Sequence, residues 1–242
     1  MITQIYKKLG ETPLQALERF RIQHGIHPDV RMTYAGRLDP MAEGWMYLLS
    51  ESDVHHKEEY STRNKTYTLQ IIWGIETDTY DLLGIPYIVL DHEYAIDNSI
   101  LMSEITKIRG ETFQQVYPPY SSKTVHGKPL WKWAREKQLH TITIPDRTVT
   151  LHAIDYIKQR SITSHQLYNV IKHRCRAVTG DFRQVEIQDK WDIICHQQSR
   201  MFTITTLCIT CSAGTYMRSL AHMLGKSMGC GACAFSIVRH RY

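Results

Sequence analysis

Apolar and polar positions along the chain follow two periodicities, and each predicts an element. Thr12 and Pro13 precede Leu14, Leu17 and Phe20, with Gln15 three residues after Thr12. A threonine cap, a proline in the first turn and a glutamine completing a capping box predict a helix that stops near Gly25. Tyr67, Leu69, Ile71 and Trp73 alternate with Thr68, Gln70 and Ile72, the period of a strand. Ile100, Leu101, Ile105 and Ile108 predict a second helix ending at Gly110, and Leu130 to Lys137 a short third. Val149, Leu151 and Ala153 alternate again, as do Phe202, Ile204, Thr206 and Cys208. After Gly214 the period changes. Met217, Leu220, Ala221 and Leu224 stand at i, i+3, i+4 and i+7, one face of a helix.

The order of these elements is irregular and lacks a βαβ alternation. It predicts an α+β fold with a mostly antiparallel, mixed sheet flanked by helices. No repeat, low-complexity tract or linker divides residues 1–242, so one continuous domain is expected.

Composition narrows the class. Of 242 residues 43% are apolar and 22% charged, which excludes a disordered chain, a collagen-like chain and a coiled coil. No apolar run reaches the roughly 18 residues of a membrane span, and the first residues have no apolar core of a signal peptide. The net charge of +5 permits a polyanionic partner without requiring one. Six cysteines in a chain without a secretory signal favour reduced thiols and a cytoplasmic protein over a disulfide framework.

Four features carry candidate chemistry. Asp39 stands between Gly36 and Gly44 and directly before Pro40. An aspartate held on such a loop can act as nucleophile or general base; Asp-Pro flanked by glycine is equally ordinary turn chemistry. Asp78 and Asp81 fall in a polar loop, 74–84, that lacks the spacing of a calcium loop and is better read as Asx turns. Arg218 lies at the start of the Met217–Leu224 helix, off its apolar face, where it either holds an anion in a cleft or sits on the surface. Cys208-x2-Cys211 and Cys230-x2-Cys233 match a zinc-ribbon spacing. However, Cys208 and Cys211 end an alternating strand, where an odd separation sends side chains to opposite faces, so no metal is expected.

Basic and aromatic residues interleave twice. Tyr117-Pro-Pro-Tyr120 leads into Lys123, His126, Lys128, Trp131, Lys132, Trp133 and Arg135. From Tyr156 to Gly180 there are Lys158, Arg160, Lys172, Arg174 and Arg176 and no acid. Positive charge follows a phosphate backbone and aromatic rings stack on unpaired bases, so together these segments point to RNA.

In order and spacing, six segments resemble the TruB-type tRNA pseudouridine synthases. They are GRLDPMAEG at 36–44, Lys65-Thr-Tyr67, GIETDTYD at 74–81, YPPYSSKTVHGKPLWKWAR at 117–135, CSAGTYMRSLAHMLG at 211–225 and GCGACAFSIVRHR at 229–241. The resemblance implies the pseudouridine synthase fold and isomerisation of uridine to pseudouridine in RNA. The T-loop uridine 55 of tRNA is the implied target, with no cofactor and no metal. It places Asp39 as catalytic nucleophile, Tyr67 against the flipped base and as base at C5, and Arg218 as partner of the aspartate. Tyr216 and Ile237 fall where the family contacts the base. Lys172, Arg174 and Arg176 are expected to bind the RNA backbone. The partner is then the T-arm of tRNA, with no membrane, and the protein a monomer. Tyr34 stands where the family commonly has a histidine, five residues before Asp39, and is expected to stack on the RNA instead. The N-terminal family pattern is reduced to Lys7-Lys-Leu-Gly-Glu-Thr-Pro13, and with Tyr242 soon after Arg239 a form lacking the C-terminal PUA-type module of many relatives is expected. The rival expectations are a non-catalytic RNA-binding or tRNA-folding factor on the same scaffold, a zinc-dependent module, and a synthase for another RNA.

Overall fold

A computed structural model describes residues 1–89, 95–197 and 199–242. Its frame is a mixed sheet of eight strands among the described residues. The first half of the chain supplies β1 (Ile2–Lys7), β2 (Met32–Ala35), β3 (Ala42–Ser50) and β4 (Lys65–Trp73), with helices α1 (Pro13–Gln23) and α2 (Lys57–Thr62) between them. A small hairpin, β5 (Ile75–Thr77) and β6 (Pro86–Val89), precedes α3 (Asn98–Ile108) and β7 (Thr112–Val116). A second hairpin, β8 (Thr124–Val125) and β9 (Lys128–Pro129), runs into α4 (Leu130–Arg135). The second half supplies β10 (Asp146–Thr163), α5 (Ser164–Ala177), α6 (Gln184–Gln197), β11 (Met201–Cys211), α7 (Met217–Ser227) and β12 (Ala232–Arg239).

The sheet runs β1-β3-β12-β4-β11-β10-β7, with β2 on β3. Only the β12–β3 pair is parallel among the described strands, with Ile237 opposite Ala42 and Arg239 opposite Gly44. The mostly antiparallel α+β architecture expected from the element order is therefore the one observed.

Local chemistry explains the predicted elements. Thr12 Oγ1 accepts from the Gln15 amide at 3.2 Å and the Thr12 amide donates to Gln15 Oε1 at 2.7 Å, a complete capping box. Helix α1 buries Ala16 and Leu17 against Ile5, Met46 and Leu48, whereas Leu14 is 57% exposed. The buried stripe is thus set by Ala16, Leu17 and Phe20, not by Leu14. Tyr67, Leu69, Ile71 and Trp73 of β4 enter one core with α3 and α7, and Ile72 enters a second core on the opposite face. The indole of Trp73 donates to Thr205 Oγ1 at 2.8 Å, so neither buried polar group is orphaned.

Two differences from the sequence expectation matter for the site. The strand expected around Val149–Ala153 extends through Thr163, with bulges near Leu151–Ala153 and Tyr156–Lys158. The acid-free stretch beyond it is the end of this strand and helix α5, and α5 and α6 cover the second face of the sheet.

Candidate active site

Asp39 lies on the loop between β2 and β3, and buried cations fasten both ends of that loop. Arg239, 1% exposed on β12, donates Nη2 to the Gly36 carbonyl at 3.0 Å and Nε to that of Trp45 at 2.7 Å. Lys7 on β1 donates Nζ to the Ala42 carbonyl at 2.6 Å and to that of Lys8 at 3.0 Å. Burial pulls the Lys7 ammonium down to about 8, against the acids Glu11, Asp39 and Glu43. Gly44 sits at φ +126° against β12, and a Cβ there would stand 2.2 Å from the Arg239 carbonyl oxygen. Only glycine permits that approach.

Arg218, the second residue of α7, is 3% exposed. Its guanidinium is fully directed. Nε donates to Asp39 Oδ2 at 2.7 Å, Nη1 to the Thr79 carbonyl at 2.8 Å and Nη2 to the Tyr120 carbonyl at 3.2 Å. A second carboxylate, Asp81, has Oδ2 3.8 Å from Nε. Burial works against the charge on Arg218, but Asp39 and Asp81 outweigh it and raise its pKa. The surface alternative for Arg218 is excluded by this burial. Asp81 itself accepts from Thr79 Oγ1 at 2.7 Å and from the Leu83 amide at 2.9 Å. Burial pushes the Asp81 carboxyl up and Arg218 opposes it. The polar loop therefore makes the Asx turn expected of it and, in addition, holds Arg218. That second role was not legible from its spacing.

Two cavities meet at Asp39. One, of about 500 Å³, is lined by Asp39, Tyr34, Tyr67, Tyr216 and Ile237. The other, of about 580 Å³, is lined by Asp39, Arg218, Tyr120, Trp131 and Arg183. Tyr67 is 6% exposed, and burial raises its phenol to about 12 although the Arg239 guanidinium pulls the other way. Tyr216 is fixed through its backbone. Gln115 accepts from its amide at 2.7 Å and donates to its carbonyl at 3.1 Å, and Tyr117 meets its ring edge-on at 5.4 Å. Burial, and then the nearby Asp39 charge, raise the Tyr216 phenol to about 12. Tyr34 lines both cavities, with the Lys57 ammonium 5.7 Å from its ring.

The two basic segments have different fates. Residues of 117–135 reach the site: Tyr117, Ser122 and Lys123 line the first cavity and Tyr120, Trp131 and Arg135 the second. Lys172, Arg174 and Arg176 lie on α5, and none of them is among the described residues lining either cavity. Arg174 corrects the expectation of a backbone contact. It donates Nη1 to the Phe235 carbonyl and lies 4.9 Å from the Phe235 ring, and burial pulls its pKa down to about 10. Its Nη1 is engaged inside the protein, whereas Arg176 is exposed. Arg174→Ala is expected to lose about 1.5–3 kcal/mol of stability with its charge-assisted bond, and Arg176→Ala less than about 0.5 kcal/mol. Thermal melts of the two variants check this.

The cysteine spacing does not assemble a ligand set. Cys211 and Cys230 are buried in the core on one face of the sheet and Cys233 in the core on the other. Sequence reasoning missed Lys7 and Arg239 as supports of the Asp39 loop. The one available signal was a lysine at the buried position of the Ile5-x-Lys7 alternation.

A family model described as TruB family pseudouridylate synthase (N terminal domain) matches residues 24–170. The tRNA pseudouridine synthase B of Cupriavidus metallidurans is 29% identical over 199 residues, covering 82% of this chain and 49% of that protein. That of Thermosipho melanesiensis is 27% identical over 235 residues, covering 97% of this chain and 61% of that protein. The chain spans about half the length of the curated relatives it matches. Among solved structures, a chain of a Cbf5-Nop10-Gar1 complex aligns with a TM-score of 0.59 at 14% identity, covering 99% of this chain and 48% of that one. A chain of an H/ACA RNP bound to a substrate RNA containing 2'-deoxyuridine aligns with a TM-score of 0.56 at 13% identity, covering 99% and 46%. These structural likenesses are of fold.

Proposed function

The chain belongs to the TruB family of pseudouridylate synthases, and on that premise we propose that it isomerises uridine to pseudouridine in RNA, acting on the T-loop uridine 55 of tRNA. The observation that carries the proposal is the Asp39–Arg218 pair at the meeting of two cavities, one of them lined by Tyr67, Tyr216 and Ile237.

The reaction breaks the N1–C1′ bond, turns the base and forms a C5–C1′ bond. N1 gains a proton and C5 loses one, so no redox partner is required. A uridine in a loop must leave its stack to be reached, at a cost of a few kcal/mol offset by pocket contacts. Tyr67, Tyr216 and Ile237 offer the apolar and π surfaces for that base. Asp39 is the nucleophile. Arg218 engages Oδ2 and so fixes the direction in which the carboxylate faces, with two main-chain carbonyls fixing Arg218 in turn. This is preorganisation of a charge before the base arrives.

Tyr67 packs on the base beside C5. Burial pushes its phenol up to about 12, so it is neutral before the base enters. A resident phenolate base does not fit that burial. RNA approaches over the 117–135 segment, whose Lys123, Trp131 and Arg135 line the two cavities.

The test is tritium release from a tRNA transcript labelled at C5 of uridine. Release of about one tritium per RNA, mapped to position 55, is the expected result. Release from a different RNA alone would move the target. Tight binding without release from any RNA would favour the non-catalytic factor.

A further inference from the structure

Strands β10 and β11 stay paired as far as Thr163 opposite Met201. Antiparallel strands ending this way can be joined by a two-residue turn. Here α5 and α6 intervene as a helical hairpin. The hairpin folds back over the sheet, burying Leu167, Ile171, Ile187 and Trp191. The Trp191 indole donates to the Gly84 carbonyl at 2.9 Å, which ties the hairpin to the 78–85 loop.

The turn between the two helices reaches the site. Its Phe182 and Arg183 line the cavity that contains Asp39 and Arg218. Arg183 sits at φ +62°, a conformation that a non-glycine residue adopts rarely. Its guanidinium donates Nη1 to Asp78 Oδ2 at 2.7 Å and Nη2 to Asp78 Oδ1 at 3.2 Å, a two-pronged contact. The same guanidinium lies 4.4 Å from the Tyr120 ring centroid. Asp78 in turn accepts from the Ile85 amide at 2.8 Å. Asp78 adjoins Thr79, and the carbonyls of Thr79 and Tyr120 are the two that hold Arg218.

We propose that Arg183 is a positioning residue for the isomerisation: it clamps the 78–85 loop to the 117–135 segment, so that both carbonyls holding Arg218, and through it Asp39, keep their places. The inference rests on the proposed function above. The chemistry of the side chain supports it. A planar guanidinium binds a carboxylate with two parallel bonds and stacks on a ring at the same time, which a lysine ammonium cannot do. The side chain is 16% exposed, so water competes little for it. Two of its donors are spent on Asp78, which argues for a brace and against an RNA phosphate contact.

Single-turnover tritium release at saturating tRNA transcript tests it, with RNA affinity measured at two salt concentrations. Arg183→Ala should lower the rate about 10- to 100-fold, as expected for a small misplacement of reacting groups, with affinity within about twofold of wild type. Arg183→Lys keeps the charge and stem, should melt with wild type and should still lose rate, so a folding defect in the alanine variant does not decide the matter. Asp78→Asn should lower the rate similarly, and Arg183→Ala/Asp78→Asn should be no slower than the slower single variant, because one contact is removed by either change. Wild-type rates in a well-folded Arg183→Lys or Arg183→Ala overturn the proposal. So does a loss confined to affinity with a shallower salt dependence, which marks a phosphate contact. Absence of release from wild type overturns the functional reading and this inference with it; release from wild type with unaffected variants overturns the inference alone.

Discussion

Asp39→Asn is expected to lower tritium release by at least about 10³-fold while RNA affinity stays within about twofold of wild type. The substitution keeps the shape of the side chain and a carbonyl oxygen that can still accept from Arg218 Nε, 2.7 Å away in the native protein. It removes the negative charge that attacks in the proposed reaction. Arg218 is not stranded by the change, because the Thr79 and Tyr120 carbonyls and Asp81 remain around it. Stability should therefore change little, and turnover and folding separate cleanly in this variant. Single-turnover assay, affinity and thermal melt on the same preparation check the three expectations. Parallel loss of affinity and turnover would mean that the Asp39 loop holds RNA as much as it reacts with it. Full turnover would sink the assignment of Asp39.

Asp39, Tyr67, Tyr216, Arg218 and Ile237 stand out in the sequence as candidates because the motifs that carry them are short and contiguous. The structure gathers four of them on the wall of one cavity and sets Arg218 against Asp39. Periodicity found β4, β11, α1, α3 and α7, where one face is apolar and the other is not. It failed at β1, β3 and β12. Buried Lys7 and Arg239 break the pattern in β1 and β12, and in β3 the run from Met46 to Ser50 is buried without alternation. Helices α5 and α6 were missed for a different reason. Leu167, Ile171 and Cys175, and Ile187, Trp191 and Cys195, do recur at helical spacing, and Thr163 with Gln166 forms a full capping box. The run of basic residues drew the segment toward RNA instead. Charged side chains ordinarily face water, but Arg174 is turned inward onto Phe235. A charge read from sequence has no direction until packing assigns one. The same holds for Asp78 and Asp81, whose partners come from α7 and from the turn after α5.

Arg218→Met should abolish turnover and also cost about 3–5 kcal/mol of stability near pH 7.5, because it leaves a buried carboxylate without its counter-charge. That carboxylate is Asp81, 5% exposed, whereas Asp39 has access to water with a side chain 35% exposed. The pH dependence identifies it. In the native protein burial raises the Asp81 carboxyl above its ordinary value and Arg218 restrains the rise. Without Arg218 the rise is larger. A carboxyl whose folded pKa exceeds its unfolded value, about 3.9, supports the fold fully below that value and loses its support as pH climbs through the folded pKa. The deficit in Tm of Arg218→Met relative to wild type should accordingly shrink between pH 7.5 and pH 5. Adding Asp81→Asn removes the stranded charge while an amide oxygen still accepts from Thr79 and Leu83, the native acceptor distances being 2.7 and 2.9 Å. The double variant should recover most of the lost stability at pH 7.5 and none of the activity. Melts across that pH range decide the point. A deficit that is constant with pH and unrelieved by Asp81→Asn would place the cost in lost packing around the guanidinium stem. Recovery of stability without turnover would separate the two tasks of Arg218: it balances Asp81 for the fold and aims Asp39 for the reaction.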